Sequence, residues 1–168
     1  MSVISLLEAA DLTADAALGE ALLGLNNTHA IELSLLDSAG LERLVGAAFV
    51  ARRAGLADAL LITFDQDSDY DSPNFLWFRD RYERFVYVDR VVTAEAARGR
   101  GLARGLYSDL ITQARAAGHQ LIVCEVNADP PNPASEAFHR RFGFEPVGEA
   151  LLANGKTVSY LALRIAAS

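Results

Sequence analysis

Apolar positions recur along the whole chain, and the spacing between them changes from segment to segment. Leu18, Leu22 and Leu25 fall four and three residues apart, which predicts a helix opened by a Thr13 cap and closing near Asn26-Asn27. A short strand is expected before it at Val3–Leu7, and a second helix after it at Leu41–Ala48. Phe49–Arg53 and Ala57–Phe64 read as two strands joined around Gly55. The acidic stretch from Asp65 to Pro73 reads as a loop, followed by the aromatic run Phe75-Leu76-Trp77-Phe78. Phe85–Val92 is a strand and Leu102–Ala117 a helix stopped at Gly118. Leu121–Val126 is almost continuously apolar, as in a strand buried on both faces, and Pro130–Pro133 imposes an irregular exit. A helix over 134–141 and a hairpin of 145–152 with 157–165 around Asn154-Gly155 complete the series.

Strands with helices inserted between them predict an α/β (α+β) layer fold, with a central mixed, mostly antiparallel sheet flanked by helices. No Pro/Gly/Ser-rich linker divides the chain, so residues 1–168 are expected to form one domain. The net charge is −7 and the isoelectric point about 4.9, which argues against a nucleic-acid binder and against an anionic membrane surface. Cys124 is the single cysteine, which excludes a disulfide within the chain and a thiolate metal cluster, so no metal site is expected and a reducing cytoplasm fits best. The sequence shows no basic segment followed by an apolar signal core and no membrane-length apolar run.

The chemistry is concentrated at Arg98-Gly99-Arg100-Gly101-Leu102-Ala103, between a strand and a helix. Glycines admit a close ligand, and the first helical turn presents unpaired N–H groups to an anion, here expected to be the pyrophosphate of a cofactor. The loop is not a Walker motif, because Lys156 is the only lysine. It misses the Gly-x-Gly-x-x-Gly pattern by one residue, since position 104 is Arg and the next glycine is Gly105. Downstream, Asn132 caps a helix that begins with Pro133, and Ser135 and His139 follow it on one polar stripe beside the apolar stripe of Phe138 and Phe142.

Arg98, Gly101 and Ala103 match Arg/Gln-x-x-Gly-x-Gly/Ala, and the block from Asn132 to Phe144 ends in the Gly-Phe turn that accompanies it. In both, over roughly residues 80–148, the sequence resembles the GCN5-related N-acetyltransferase (GNAT) superfamily. The resemblance implies acetyl-CoA as co-substrate, with the pyrophosphate on residues 98–103 and pantetheine beside Arg90, Val91 and Val92. It implies further contacts from Asn132, Ser135 and His139, and backbone N–H groups at the splayed end of the central strand for the developing oxyanion. His139 occupies the position where many members carry a tyrosine that protonates the leaving thiolate, and a histidine titrates in the right range. For the base, Asp89 is expected on the same strand face as Phe85, Tyr87 and Val91. By the family's order of elements, Asn27, Trp77 and Tyr87 face the acceptor, which is an amine on a small molecule or a peptide N-terminus. The C-terminal hairpin is a candidate homodimer surface. Two other classes stay open: a coenzyme-A-binding sensor without catalysis, and another α/β nucleotide-binding protein.

Overall fold

The computed structural model describes residues 3–29 and 33–167. Seven strands form one sheet: β1 (Ile4–Leu6), β2 (Val50–Ala54), β3 (Ala59–Asp65), β4 (Val86–Thr93), β5 (Leu121–Asp129), β6 (Glu145–Leu151) and β7 (Thr157–Arg164). Their order across the sheet is β1-β2-β3-β4-β5-β7-β6, and every neighbouring pair is antiparallel except β4 with β5. This is the mixed, mostly antiparallel sheet that the sequence predicts.

Six helices cover the sheet: α1 (Ala9–Ala14), α2 (Ala16–Thr28), α3 (Ser38–Ala47), α4 (Pro73–Arg79), α5 (Leu102–Ala116) and α6 (Pro133–Phe142). Leu22, Leu41, Phe75 and Phe78 belong to the core on one face, against Leu60, Phe64, Tyr87 and Val123. On the other face Leu106, Tyr107 and Leu110 of α5 pack against Leu61, Val86, Val88 and Ile122. Burial of these side chains, each worth about 1.5–3 kcal/mol relative to exposure, fixes which face each helix covers. No helix among the described residues is long and apolar enough to cross a membrane.

Two local expectations are corrected, the Thr13 cap and the regular β4, and the aromatic run, to which the sequence assigned no element, is a helix. Thr13 lies inside α1 rather than capping the next helix; the cap of α2 is Asp15, whose carboxylate accepts from the Leu18 N–H at 3.1 Å. The aromatic run lies on α4, opened by Ser72 at the cap and Pro73 in the first turn, with Phe75 and Phe78 on its buried side. In β4 the alternation does not run through: Ile62 pairs with Arg90 but Thr63 pairs with Val88, so Asp89 is an extra residue, a β-bulge. Phe85 and Tyr87 face the α2 side, but after the bulge Arg90 and Val92 take over that face and Val91 turns to the other.

The β4–β5 ladder is the feature that positions the site. These strands pair only at Val86 with Ile122 and Tyr87 with Val123. Beyond that point β4 continues along β3 and β5 along β7, so the two part and leave an opening in the sheet.

Candidate active site

Four segments converge on the opening. The Arg98–Gly101 loop reaches α5 through two glycines of positive φ, Gly99 at 81° and Gly101 at 73°. Gly101 is the N-cap of α5 and offers no side chain, so the first-turn N–H groups have no side-chain cap. A Cβ at either glycine would project into open space. That space is a cleft of about 740 Å³ bounded by the loop, the ends of β4 and α2, and the first turn of α6. An uncapped helix terminus with bare backbone around it has the donor set that a pyrophosphate requires. Among the described residues no group of three His, Cys, Asp or Glu could hold a metal ion.

Of the residues that the sequence assigned to the cofactor, Val91, Val92, Arg98, Gly99, Gly101, Leu102 and Ala103 line this cleft, and so do Asn132 and Ser135. Asn132 also caps α6 by accepting from the Ser135 N–H at 3.4 Å. His29 and Arg104 join the wall. His29 Nδ1 faces the Leu25 carbonyl at 3.1 Å, so Nε2 is left to accept from Arg98 at 3.4 Å, a contact that ties the phosphate-side loop to the end of α2.

Three residues assigned to the cofactor are elsewhere. Arg90 is 5% exposed and turned into the core, where it donates to Asn26 Oδ1 at 2.7 Å, to the Ser34 carbonyl at 3.0 Å and to Ser34 Oγ at 2.6 Å. Arg100 faces Asp58 at 3.9 Å on the surface. His139 is buried behind Tyr107 and does not border the cleft. Its Nδ1–H donates to the Ser135 carbonyl at 2.7 Å, so its Nε2 accepts from the Tyr107 hydroxyl at 2.6 Å. Burial holds the imidazole below its ordinary range and therefore neutral near pH 7.

A second cavity, of about 110 Å³, continues inward between the parted strands and shares Leu33, Val91, Asn132 and Ser135 with the cleft. Glu125 and Asp89 border it from the two strands, and Tyr107 and Cys124 from the α5 side. Burial raises Cys124 and Tyr107 well above their ordinary ranges, so the thiol and the phenol both keep their protons.

The two carboxylates differ in their partners. Asp89 accepts from Tyr70 at 2.6 Å through Oδ1 and from Arg90 at 3.0 Å through Oδ2. Burial raises its pKa, against the pull of Arg90 and Tyr70. Glu125 has only neutral partners: the Tyr87 hydroxyl, 2.9 and 2.7 Å from its two oxygens, and the Asn74 amide, 3.0 Å from Oε1. Desolvation is the largest influence on it and carries the carboxyl from an ordinary 4.5 to about 7. It is thus ready to accept a proton near neutrality.

Of the residues expected at the acceptor, Tyr87 is buried and reaches the site through its hydroxyl on Glu125. Trp77 stacks on Tyr160 with centroids 4.1 Å apart and borders neither cavity. Asn27 binds both the N–H and the carbonyl of Leu36, at 3.0 and 2.9 Å, and so fixes the segment after α2. Glu125 and Tyr107 are the residues that sequence reasoning missed. Glu125 had a signal, as the one charge within Leu121–Val126; Tyr107 looks like another core position of an amphipathic helix.

Residues 74–144 match the family model for the acetyltransferase (GNAT) family. No curated protein sequence matches the chain. Among solved structures, the ribosomal-protein-S18-alanine N-acetyltransferase from Escherichia coli is similar at TM-score 0.70 and 19% identity, covering 100% of this chain and 96% of that one. Arabidopsis thaliana NAA60 in complex with acetyl-CoA is similar at TM-score 0.68 and 15% identity, with 98% and 99% covered. An acetyltransferase of the GNAT family from Streptococcus pneumoniae gives TM-score 0.68 at 17% identity, with 99% and 100% covered. The segment carrying the phosphate-side loop, the parted strands and α6 is thus the part that matches the GNAT acetyltransferase family model, and the chain shares the fold of these acetyltransferases over its whole length.

Proposed function

We propose that this protein is an acetyl-CoA-dependent N-acetyltransferase that moves the acetyl group directly to an amine held in the same complex. The observation that carries the reading is Glu125. A carboxylate with a pKa of about 7 stands at the inner end of a cleft whose outer wall is an uncapped helix terminus.

The N–H groups of Gly101, Leu102 and Ala103, with Arg98 and Arg104 at the rim, would hold the pyrophosphate. The edge of β4 at Val91 and Val92 would run beside the pantetheine, whose amides find partners there because β4 has no neighbour on that side. Bound in this way, acetyl-CoA supplies an activated acetyl thioester at the gap between the strands.

Glu125 takes the proton of the incoming amine. Asp89, ion-paired to Arg90, is a poorer base and adds negative potential at the acceptor end, which favours a cationic amine. Tyr107 takes the place that the sequence gave to His139. With its pKa raised, the phenol keeps its proton, which rests on His139 Nε2 and turns to the leaving sulfur as negative charge develops there. The acceptor is an amine on a small molecule or a peptide N-terminus. The single, buried Cys124 supports a cytoplasmic setting, and the outer strand β6, with Leu151 74% exposed, supports a homodimer to be tested by mass in solution.

The deciding experiment is calorimetric titration with acetyl-CoA, coenzyme A, ATP and NAD, followed by amine-dependent thiol release. Selective binding of the coenzyme A pair with turnover supports the reading. Binding without turnover across a panel of amines leaves a sensor, and preference for ATP or NAD overturns the cofactor.

A further inference from the structure

Asn74 stands on α4, the short helix between β3 and β4, outside both cavities. Its amide nevertheless reaches the carboxylate at the centre of the opening, with Nδ2 at 3.0 Å from Glu125 Oε1. The amide's orientation follows from the chemistry of its partners. A carboxylate only accepts, so the NH₂ end must face Glu125 and the carbonyl end must face Tyr160, whose hydroxyl donates to Oδ1 at 2.8 Å.

Tyr160 is held in turn. Its ring stacks on Trp77 at 4.1 Å, and Arg81 lies over the opposite part of that indole at 3.9 Å. Gly148 of β6 packs directly beneath, where an added Cβ would collide with the Trp77 ring. The chain Gly148–Trp77–Tyr160–Asn74–Glu125 therefore connects a glycine of the outer strand to the carboxylate without an exposed step.

Tyr87 alone does not orient Glu125, because its hydroxyl is shared between both oxygens at 2.9 and 2.7 Å. Asn74 contacts one oxygen only. It breaks the symmetry of the carboxylate, doubly holding Oε1 and leaving Oε2 with the phenol alone.

We propose that Asn74 is a positioning residue for proton transfer, fixing through Tyr160 which oxygen of Glu125 is left to take the proton of the acceptor amine. This rests on the reading of Glu125 as the base. The sign of the effect is defined. A donor to the ionised carboxylate stabilises that form, so removing it raises the pH at which Glu125 becomes a base. The other titratable groups facing Glu125 are Tyr87 and Asp89 of β4, Cys124 of β5, Tyr160 of β7 and Tyr107 of α5, with His139 behind the last. The variants below leave all but Tyr160 in place.

The test is the pH dependence of kcat/KM for thiol release in the full chain, for wild type, Asn74→Leu and Tyr160→Phe. Asn74→Leu is expected to move the acid limb upward by about one pH unit, the size of one charge-assisted hydrogen bond partly replaced by water. kcat should fall while KM for acetyl-CoA stays within about twofold. Tyr160→Phe, which deletes a single oxygen and keeps the stack on Trp77, should shift the limb in the same direction by less. Lower thermal stability with the limb unmoved in both variants would overturn the proposal and leave Asn74 a packing residue. If Asn74→Leu does not fold, an unmoved limb in Tyr160→Phe overturns it by itself. Wild type that binds coenzyme A but releases no thiol with any amine overturns the reading of the base instead, a result distinct from turnover with an unmoved limb.

Discussion

Replacing Glu125 by Gln should make the protein more stable and less active at the same time, and the stability gain should depend on pH. The carboxyl rises from an ordinary 4.5 to about 7 on folding. At about 1.4 kcal/mol per pH unit, ionising it in the folded state costs up to about 3 kcal/mol. Below about pH 4.5 the group is protonated in both folded and unfolded chains and the cost is absent. Between there and about pH 7 the folded state keeps a proton that the unfolded state releases, so stability falls as pH rises; above that the full cost is present. Gln removes the titration while its amide oxygen still accepts from Asn74. Between about pH 5.5 and pH 8 the variant should therefore gain about 2 kcal/mol on wild type, or about 4–8 °C in Tm. Thermal melts of both proteins at the two pH values measure this, and thiol release at saturating acetyl-CoA should fall by about 10²–10⁴-fold. A Tm difference that is the same at both pH values, or turnover within a few-fold of wild type, would refute the assignment.

Gly101→Val puts a β-branched residue at φ 73° and a side chain into the open cleft, so calorimetric affinity for coenzyme A should fall by about 100-fold or more while the fold loses about 1–3 kcal/mol. Retained micromolar binding would show that the phosphate lies elsewhere. Tyr107→Phe leaves His139 Nε2 buried without a donor, costing about 1–3 kcal/mol in a denaturant melt. Its turnover should drop about tenfold or more with cofactor affinity kept, as expected of a lost hydrogen bond to the leaving sulfur. Asp89→Asn weakens a buried ion pair and should lower stability by roughly 3 kcal/mol, and by removing a like charge beside Glu125 it should move the acid limb of the pH profile to lower pH while keeping it. Loss of the limb altogether in that variant would return the base to Asp89.

Most elements of the fold were legible because period and punctuation agree along the chain: Gly118 and Gly143 end helices at positive φ, and Pro133 after Asn132 opens one. The phosphate-side loop was legible for the same reason, since glycine spacing and arginine content are local properties. The misreadings share a non-local cause. His139 was assigned because it occupies the family's tyrosine position on α6, but Tyr107 arrives from α5, 32 residues earlier, and covers its ring. Asp89 and Val91 were placed by a period of two that one extra residue in β4 shifts, and nothing in Val-Asp-Arg-Val signals a bulge. α4 carries its start signal in Ser72-Pro73, but four apolar residues in succession obscure a seven-residue helix.

The bulge explains why two acidic residues on adjoining strands have different chemistry. Both acids border the inner cavity, and the charge of Asp89 adds to burial in raising Glu125. The extra residue brings Asp89 and Arg90 to the same face in succession, so Arg90 takes Asp89 Oδ2 while its other nitrogens reach Asn26 and Ser34. One carboxylate is thereby given a cation that opposes the upward pull of burial, and is tied through it to the segment that walls the cleft. Glu125, left among neutral phenols and an amide, has its proton affinity raised by burial with no cation to oppose it. The same parting of β4 from β5 that exposes backbone groups along the cleft also opens the cavity on which the anchoring acid and the proton-accepting one both border.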